Sequence, residues 1–512
     1  LTKRRNMKHM SFKNVPRGLA AGAVAGLMTF SLAAPALADP SGMVQFGFDR
    51  TRNMISTETG LPSEFDVKSG KNILWSQPVG SQSYAGPVVS DGIVLVGTNN
   101  EGQRNPDVKG DKGNIMAFDE KTGEFLWQII HHKLPESKLH DWPLQGVCST
   151  PVIEGDIFYY VSNRAEIVAA DMKGFRDGEN DGPFKDEEFT GEFAGDILWK
   201  YDTMGELDVF PHNLAVSSPI IVGDLLFITT GNGVDEGHIN VPSPLAPSFM
   251  AVNKKTGELV WENADPGENI LHGTWSNPSY AEINGRGQVI MPGGDGWVYS
   301  FKPEDGTLLW KFDANPKDSV WRLGGSGTRN NIISMGVIYD DKVYIGVGQD
   351  PEHGEGPAHF YAIDATKSGD ITESGVVWSR DGEDFNRTIS TAAIKDDIVY
   401  IADLSGFLYA LDAQTGEHFW TYDAFAAVWG SAFVADGKVY LGDEDGDIAV
   451  LKAGKKLEVL GEYNLGSATY TTPVAHDGVL FILGRNRLFA IKEGAKPAAE
   501  PKEAKAEAKK DA

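Results

Sequence analysis

The stretch AFDEKTGEFLW at residues 117–127 decides the fold, because close copies of it recur along the chain. These copies are AVNKKTGELVW at 251–261, SFKPEDGTLLW at 300–310 and ALDAQTGEHFW at 410–420. Each copy joins the end of an apolar strand to a turn ending in glycine and to a second strand that closes on tryptophan. A unit that recurs through a chain indicates a repeat architecture.

Each phrase follows two further short strands of alternating apolar and polar residues joined by tight turns, which makes four strands per unit. Looser units close at Trp199 and Trp378, and a degraded seventh unit closes at Leu460. An eighth unit, from Thr471, lacks its last strand, and the strand ending at Trp75 can supply it. The sequence therefore predicts an all-β fold: an eight-bladed β-propeller of four-stranded blades whose last blade is closed by the N-terminal strand.

Composition divides the chain into four parts. The continuous repeat assigns 61–492 to the propeller and 39–60 to a lead-in. Residues 1–38 carry six basic residues, no acidic residue and an apolar stretch that ends Ala-Leu-Ala, which is typical of a cleaved Sec-type signal peptide without a lipobox. An uncleaved membrane anchor is the alternative. Residues 493–512, rich in Lys, Glu, Ala and Pro, are predicted to be a disordered tail.

Charge and cysteine content limit the partners and the compartment. The formal net charge of −26 disfavours nucleic acid and anionic lipid as partners, because an acidic surface repels both. Cys148 is the single cysteine, so no internal disulfide can form. We therefore expect a periplasmic or secreted protein with no transmembrane span in its mature chain, stabilised by packing of the repeated tryptophans.

The repeated phrase resembles the tryptophan-docking repeat of the pyrroloquinoline quinone (PQQ) propeller superfamily. One branch of that superfamily contains the quinoprotein alcohol dehydrogenases, which use PQQ and calcium. Another branch contains the barrel-assembly propeller, a scaffold without a cofactor. For the first branch the resemblance implies a calcium site, at Glu166 in SNRAEIVAAD and Asn232 in TTGNG. Their oxygens suit calcium, although a solvated Glu166 and a turn-forming Asn232 are the alternatives.

The rest of the quinoprotein pattern is absent. Ser276 or Asn277 stands where the resemblance places a catalytic aspartate, and neither residue can accept a proton from an alcohol near neutral pH. Gly294 stands where a basic residue would polarise the quinone, and an adjacent cysteine pair is impossible with one cysteine. These losses weigh against alcohol oxidation.

The segments that lead into the first strand of each blade form one rim of the predicted ring, and they are rich in aromatic, His, Asn and Arg residues. The candidates for binding a cofactor or ligand there are His272, Trp275, Arg329 and Trp429, together with Asn232 and Glu166. A Pro-rich insertion at 234–247 is expected to cap the funnel, and further insertions at 101–113 and 351–357 share its rim. The alternative is that these side chains merely plug the channel. The histidines show no metal-ligand spacing in the sequence.

An acidic insertion in the second blade matches the spacing of a calcium loop. The candidate metal ligands are Asp177, Glu179, Asp181 and Glu188, with Gly182 at the sharp turn. A solvated acidic loop is the alternative.

Two functions remain after these exclusions. The first is a ligand-binding or protein-interaction scaffold without alcohol dehydrogenase activity, whose partner is a small ligand or a periplasmic or extracellular protein. The second is a diverged PQQ- and calcium-dependent oxidoreductase, with His272 as base. The sequence alone weighs against an enzyme without deciding the question.

Overall fold

A computed structural model describes residues 44–496, except 103, 324–326, 349–357 and 383. The predicted signal peptide, the insertion at 351–357 and nearly all of the predicted tail lie outside the described residues. The predictions made for them therefore stay predictions.

In the described part of the chain, 33 strands form eight sheets, which confirms the predicted eight-bladed propeller. Each blade is an antiparallel meander, listed from its innermost strand outward for the first four blades: β2 to β5 at Val88–Ser90, Ile93–Asn99, Lys112–Asp119 and Phe125–His132; β6 to β9 at Val152–Glu154, Ile157–Val161, Glu166–Asp171 and Asp196–Asp202; β10 to β13 at Ile220–Val222, Leu225–Thr229, Phe249–Asn253 and Leu259–Asn263; β14 to β17 at Ser279–Ile283, Arg286–Pro292, Trp297–Phe301 and Leu308–Asp313.

The remaining blades follow the same order, and the last of them takes its outer strand from the N-terminal side. They are β18, β19, β20 and β22 at Val337–Tyr339, Lys342–Val347, His359–Asp364 and Val376–Arg380; β23 to β26 at Ala393–Lys395, Ile398–Ala402, Phe407–Asp412 and His418–Asp423; β27 to β30 at Phe433–Ala435, Lys438–Gly442, Asp447–Lys452 and Val459–Asn464; β31, β32, β33 and β1 at Val474–His476, Val479–Leu483, Arg487–Lys492 and Ile73–Pro78.

The N-terminal strand closes the ring as predicted. β1 pairs antiparallel with β33, and Trp75 lies opposite Ala490. A two-residue strand that the sequence analysis did not predict, β21 at Gly369–Asp370, adds in parallel to the outer edge of β17. Helix is confined to α1 at Ser137–His140, α2 at Thr203–Leu207 and two 3₁₀ turns at Gly174–Asp177 and Gly267–Asn269 within the described ranges. None of these helices is long and apolar enough to cross a membrane.

The repeated phrase exists because it joins each blade to the next. Trp127 is fully buried, and its indole Nε1 donates a hydrogen bond of 3.1 Å to the carbonyl oxygen of Met172 in the following blade. The equivalent bond runs from Trp75, Trp199, Trp261, Trp378 and Trp420 to the carbonyls of Glu120, Lys254, Pro303, Ala413 and Gly454. Trp310 reaches its neighbour indirectly, because it donates to Gln288 Oε1 and Gln288 Nε2 donates to Ala365.

The glycine of the phrase is required by the same contact. Gly257 has a φ of +75°, which only glycine adopts easily, and a Cβ added to it would lie 2.7 Å from the ring of Trp199 in the preceding blade. The turn glycine and the tryptophan therefore recur together because each packs on a copy of the other.

The seventh blade corrects one detail of the sequence analysis. A bulge beside the tryptophan shifts the register of the outer strand by one residue in each blade that carries the phrase. With the same bulge in β30, Val450 lies opposite Gly461, so Gly461 and not Leu460 occupies the tryptophan position. Tyr463 packs against Phe65 at 4.7 Å nearby, which brings an aromatic ring to this blade from two residues further along.

A ring of hydrogen bonds around the central channel links the inner ends of the blades. In each bond a backbone N–H at the start of one inner strand donates to the side-chain oxygen of the equivalent residue in the next blade. The pairs are Gly86 to Thr150, Thr150 to Ser218, Ser218 to Asn277, Met335 to Thr391, Thr391 to Ser431 and Ser431 to Thr472. Within the described chain the ring breaks at Met335 and Gly86, because neither side chain offers an oxygen to the blade before it.

The lead-in closes the channel, which the sequence analysis did not predict. Residues 44–56 lie against the inner strands of several blades and share backbone bonds with Ile153, Tyr280, Ile338 and Val434. Arg52 is fully buried, and its guanidinium donates to the carbonyls of Phe46, Ser218, Pro219 and Pro278. Burial lowers the pKa of Arg52 to about 9. The four carbonyls offset part of the cost of burying this charge.

Candidate functional site

A cavity of about 430 Å³ occupies the mouth of the channel. The interblade loops, which run from the outer strand of one blade to the inner strand of the next, line it with one equivalent residue per blade. These residues are Tyr84, Cys148, Val216, Trp275, Ile333, Ile389, Trp429 and Tyr470. Phe46 of the lead-in also contacts the cavity. The cavity therefore lies on the axis of the ring, where the sequence predicted a funnel.

Two aromatic groups form opposite parts of the cavity wall. Tyr84 stacks on Tyr470 with ring centroids 5.1 Å apart, and Trp429 packs against Tyr470 at 5.4 Å. Trp275 and His272 pack edge to face at 4.5 Å on the side of blades three and four. The buried Trp429 Nε1 has no protein acceptor among the described residues, so its N–H can donate to a ligand in this cavity.

Cys148 contributes a thiol to the wall, and its surroundings suppress nucleophilic chemistry. Burial raises the pKa of the Cys148 thiol to about 12. Because the thiolate is the reactive form, this side chain acts as a small apolar group near neutral pH.

The structure places three of the six predicted cofactor-binding residues on the cavity: His272, Trp275 and Trp429. Arg329 forms an ion pair with both carboxylate oxygens of Asp313, at 2.7 and 3.0 Å, and thereby holds the loop between blades four and five. Arg329 is not among the residues that line the cavity.

Asn232 fastens the cap instead of facing the cavity. Its Oδ1 accepts a hydrogen bond from the backbone N–H of Phe210, and its Nδ2 donates to the carbonyls of Ser243 at 3.0 Å and Ala246 at 3.5 Å. The side chain is fully buried. Both ends of the amide are thus engaged by backbone groups of the cap and of the neighbouring loop.

Glu166 has a separate set of contacts in blade two. Its carboxylate accepts from Ser162 Oγ at 3.3 Å and lies 3.5 Å from Arg164 Nε and 3.9 Å from Lys200 Nζ. Two cationic side chains beside this carboxylate compete with a metal ion for it. The contacts of Glu166 and Asn232 therefore do not fit a shared calcium–quinone centre.

The positions that replace the quinoprotein base and cation are also engaged. Ser276 Oγ donates to the carbonyl of Ser334 at 2.7 Å, and Asn277 Oδ1 accepts from the backbone of Ser218. A Cβ added to Gly294 would lie 2.9 Å from the carbonyl oxygen of Gly273, so a basic side chain has no room there without a shift of the backbone.

The acidic insertion of blade two brings only part of the predicted calcium loop together. Oxygens of Asp177 and Asp181 lie within 4.8 Å of each other and of Asp171, which the sequence analysis did not include. Glu179 contributes its backbone N–H to Asp177, and Glu188 instead contacts His132 Nε2 at 2.5 Å. Calcium binding by Asp177, Glu179, Asp181 and Glu188 stays a prediction.

Three histidines that are remote in sequence meet beside the cavity. Nε2 of His238 lies 2.9 Å from Nε2 of His212 and 3.0 Å from Nε2 of His272. This cluster corrects the sequence analysis, which found no metal-ligand spacing among the histidines. The spacing was hidden because the three residues come from the loop before blade three, the cap and the loop before blade four.

Large exposed apolar side chains collect on the cavity side of the ring. In an antiparallel four-stranded blade, the interblade loops and the loop between the second and third strands share one face. We call this face the rim. Its exposed apolar residues are Trp142, Ile239, Leu245, Val320, Trp321 and Phe425.

Known proteins match this chain in sequence and in fold. A family model described as outer membrane protein assembly factor BamB (PQQ_2) matches residues 29–180, 191–350 and 294–496. BamB of Shewanella oneidensis is 21% identical over 362 residues, which cover 70% of this chain and 68% of that protein. BamB of Yersinia pestis is 21% identical over 272 residues, covering 45% of this chain and 64% of that relative, which is less than two thirds of its length.

Solved structures add a likeness of fold. The crystal structure of BamB from Moraxella catarrhalis superposes with a TM-score of 0.52 at 13% identity, over 83% of this chain and 99% of that one. A europium-containing methanol dehydrogenase gives a TM-score of 0.55 at 14% identity, over 89% and 90%. At these identities the fold alone is shared. The predicted resemblance to PQQ-type propellers is confirmed, and the chain belongs to the family of the outer membrane protein assembly factor BamB.

Proposed function

We propose that this propeller is a periplasmic protein-interaction scaffold whose partner binds the rim and inserts an anchor side chain into the axial cavity. The observation that carries the proposal is the set of exposed apolar side chains on the rim. Leu245, Phe425 and Ile239 are 91%, 87% and 70% exposed. Such side chains are costly to leave in water, and grouped on one face they favour a binding surface.

The chemistry of the rim suits a protein partner. Trp142 and Trp321 are each 41% exposed, and tryptophan is enriched among residues that dominate protein–protein binding energy. The rim also surrounds a cavity of about 430 Å³, large enough for one bulky side chain of a partner. The indole N–H of Trp429 offers a donor to a carbonyl or hydroxyl of that anchor.

Compartment and family support the proposal from outside the site. The basic-then-apolar leader at residues 1–38 favours export. Two relatives are named as outer membrane protein assembly factors, and this name describes an assembly role in those proteins. The engaged side chains of Asn232, Glu166 and Ser276 support binding without alcohol oxidation.

Site-specific photo-crosslinking in intact cells tests the scaffold function. A photoreactive amino acid at Phe425 or Leu245 should give discrete adducts with another protein. The same group at Leu460, which is 38% exposed on an outer strand, serves as the matched control and should give none. Equal adducts at all three positions, or none at the rim, would contradict a rim-specific partner.

A second measurement separates the scaffold from the diverged oxidoreductase. PQQ and calcium added to the purified protein should produce neither a bound-quinone absorbance nor a rise in melting temperature. A saturable rise that disappears in Asn232→Ala would instead support the oxidoreductase, because a ligand that binds only the folded state stabilises it.

A further inference from the structure

The three clustered histidines are held by the fold in a way that aims one nitrogen of each ring at a common point. His212 and His272 are 1% and 2% exposed, and His238 is half-buried. One ligand atom from each of the three lies within 4.8 Å of the others, and the printed Nε2 separations of 2.9 and 3.0 Å are shorter than this limit. The cluster thus consists of three imidazoles without a carboxylate or thiol.

Backbone contacts fix two of the rings relative to each other. His212 Nδ1 lies 2.8 Å from the carbonyl oxygen of Val234, and the backbone N–H of Val234 donates to the carbonyl of His272 at 2.8 Å. A ring that donates from Nδ1 to a carbonyl leaves the lone pair on Nε2. Metal-ligating histidines characteristically have this arrangement.

The third ring is presented by a constrained turn of the cap. His238 has a φ of +53°, a left-handed conformation that is uncommon for residues other than glycine, asparagine and aspartate. The turn is closed by Asp235, whose carboxylate accepts from the backbone N–H of Ile239 at 2.8 Å and from Asn240 Nδ2 at 2.7 Å. The strained conformation directs His238 at the other two rings.

We propose that Nε2 of His212, His238 and His272 bind one divalent transition-metal ion, with zinc as the reference metal, and that this ion fastens the cap to the loops before blades three and four. Imidazole nitrogens suit zinc, copper, nickel and cobalt, whereas calcium and magnesium require oxygen ligands. Zinc–nitrogen bonds of about 2.0–2.1 Å in a tetrahedral site place the nitrogens about 3.3–3.4 Å apart. The rings need to separate by only a few tenths of an ångström to reach this geometry.

The position of the ion follows from its ligands. His272 lines the axial cavity and packs against Trp275, so the ion lies beside that cavity. Three protein ligands leave a fourth position for water or for a donor atom of a bound molecule. The inference goes beyond the scaffold function, because it requires no protein partner and is tested without one.

Metal titration of the chelator-treated full-length protein tests the site. Co²⁺ should bind at one equivalent with the visible absorption of a tetrahedral nitrogen site, Zn²⁺ should displace it, and Ca²⁺ should not. Zn²⁺ should also raise the melting temperature and slow amide hydrogen exchange in residues 234–247. An absence of saturable Co²⁺ and Zn²⁺ binding would overturn the proposal.

His238→Asn is the decisive variant, because asparagine accepts a left-handed φ and removes only the imidazole. It should keep the melting temperature of the metal-free protein and weaken Co²⁺ binding by about 100-fold or more. The matched control is His476→Asn, since His476 belongs to a separate group with Glu120 and Asp477. Unchanged affinity in His238→Asn, or loss of binding in His476→Asn alone, would assign the metal elsewhere. His272→Ala provides a second ligand deletion if His238→Asn fails to fold.

Discussion

The outer girdle of tryptophans and the inner ring of cavity residues come from the same eight blades, yet they differ in how far they vary. In the girdle, one indole after another donates to a carbonyl of the next blade and packs on its turn glycine. In the inner ring, equivalent positions hold tyrosine, cysteine, valine, tryptophan and isoleucine. The repeated contacts hold the blades together, whereas the varied positions are free to carry recognition.

The largest effect is expected from removing a girdle contact. Trp127→Ala should lower the free energy of unfolding by about 3–5 kcal/mol, because a fully buried indole is replaced by a cavity and the Met172 carbonyl loses its donor. Urea denaturation followed by tryptophan fluorescence and circular dichroism measures this loss. Leu460→Ala, at an exposed position of the blade without the tryptophan, is the control and should cost less than about 1 kcal/mol. Equal losses in both variants would contradict the girdle as the main contact between blades.

Paired glycine substitutions separate the two demands on the repeated turn. Gly257→Ala should cost about 2–4 kcal/mol, because its φ of +75° strains alanine and the new Cβ meets Trp199 at 2.7 Å. Gly285 has a similar φ of +70° but open space around it, so Gly285→Ala should cost only about 1–2 kcal/mol. The difference between their free energies of unfolding isolates the contact with tryptophan. If the two losses are the same, backbone conformation alone explains why the glycine recurs.

The same contrast explains what the sequence could predict. The number of blades and the closing strand followed from Trp75 and its repeats, because each repeat is a local phrase with a visible period. The error at Gly461 arose because a bulge, which shifts the register by one residue, leaves no mark in a degraded repeat. The sealing of the channel by Arg52 was invisible, because its acceptors are backbone carbonyls far along the chain.

The site was predictable to a smaller extent. His272, Trp275 and Trp429 could be placed at the funnel because they occupy equivalent loops of the repeat. His212 and His238 could not be joined to His272 as a cluster. Their meeting depends on the path of the cap, which is an insertion without a counterpart in the other blades. An insertion has no repeat to be read against, so its contacts emerge only in three dimensions.

A pH-dependent contribution to stability is expected from the turn that leads into the third strand of blade four. Burial raises the pKa of Asp295 to about 6, although the Tyr299 hydroxyl donates to it at 2.7 Å. Because the folded state binds this proton more tightly than the unfolded chain, the contribution is complete below about pH 4 and is lost as the pH rises through about 6. Asp295→Asn cannot titrate. Its stability relative to the natural protein should therefore improve by about 1–3 kcal/mol between about pH 4 and pH 8, measured by urea denaturation. Parallel pH profiles would show that this carboxyl does not titrate in that range.

The smallest effect on stability is expected on the rim, and it bears most directly on function. Leu245 is 91% exposed, so Leu245→Ser should change the free energy of unfolding by less than about 0.5 kcal/mol. If the rim binds a partner, the same substitution should weaken the crosslink formed from Phe425 while leaving the fold intact. A leucine that contributes nothing to folding and much to binding would mark the rim as the region kept for recognition. Loss of stability without loss of crosslinking would instead assign Leu245 to the packing of the cap, and the division between a structural girdle and a recognition rim would not hold there.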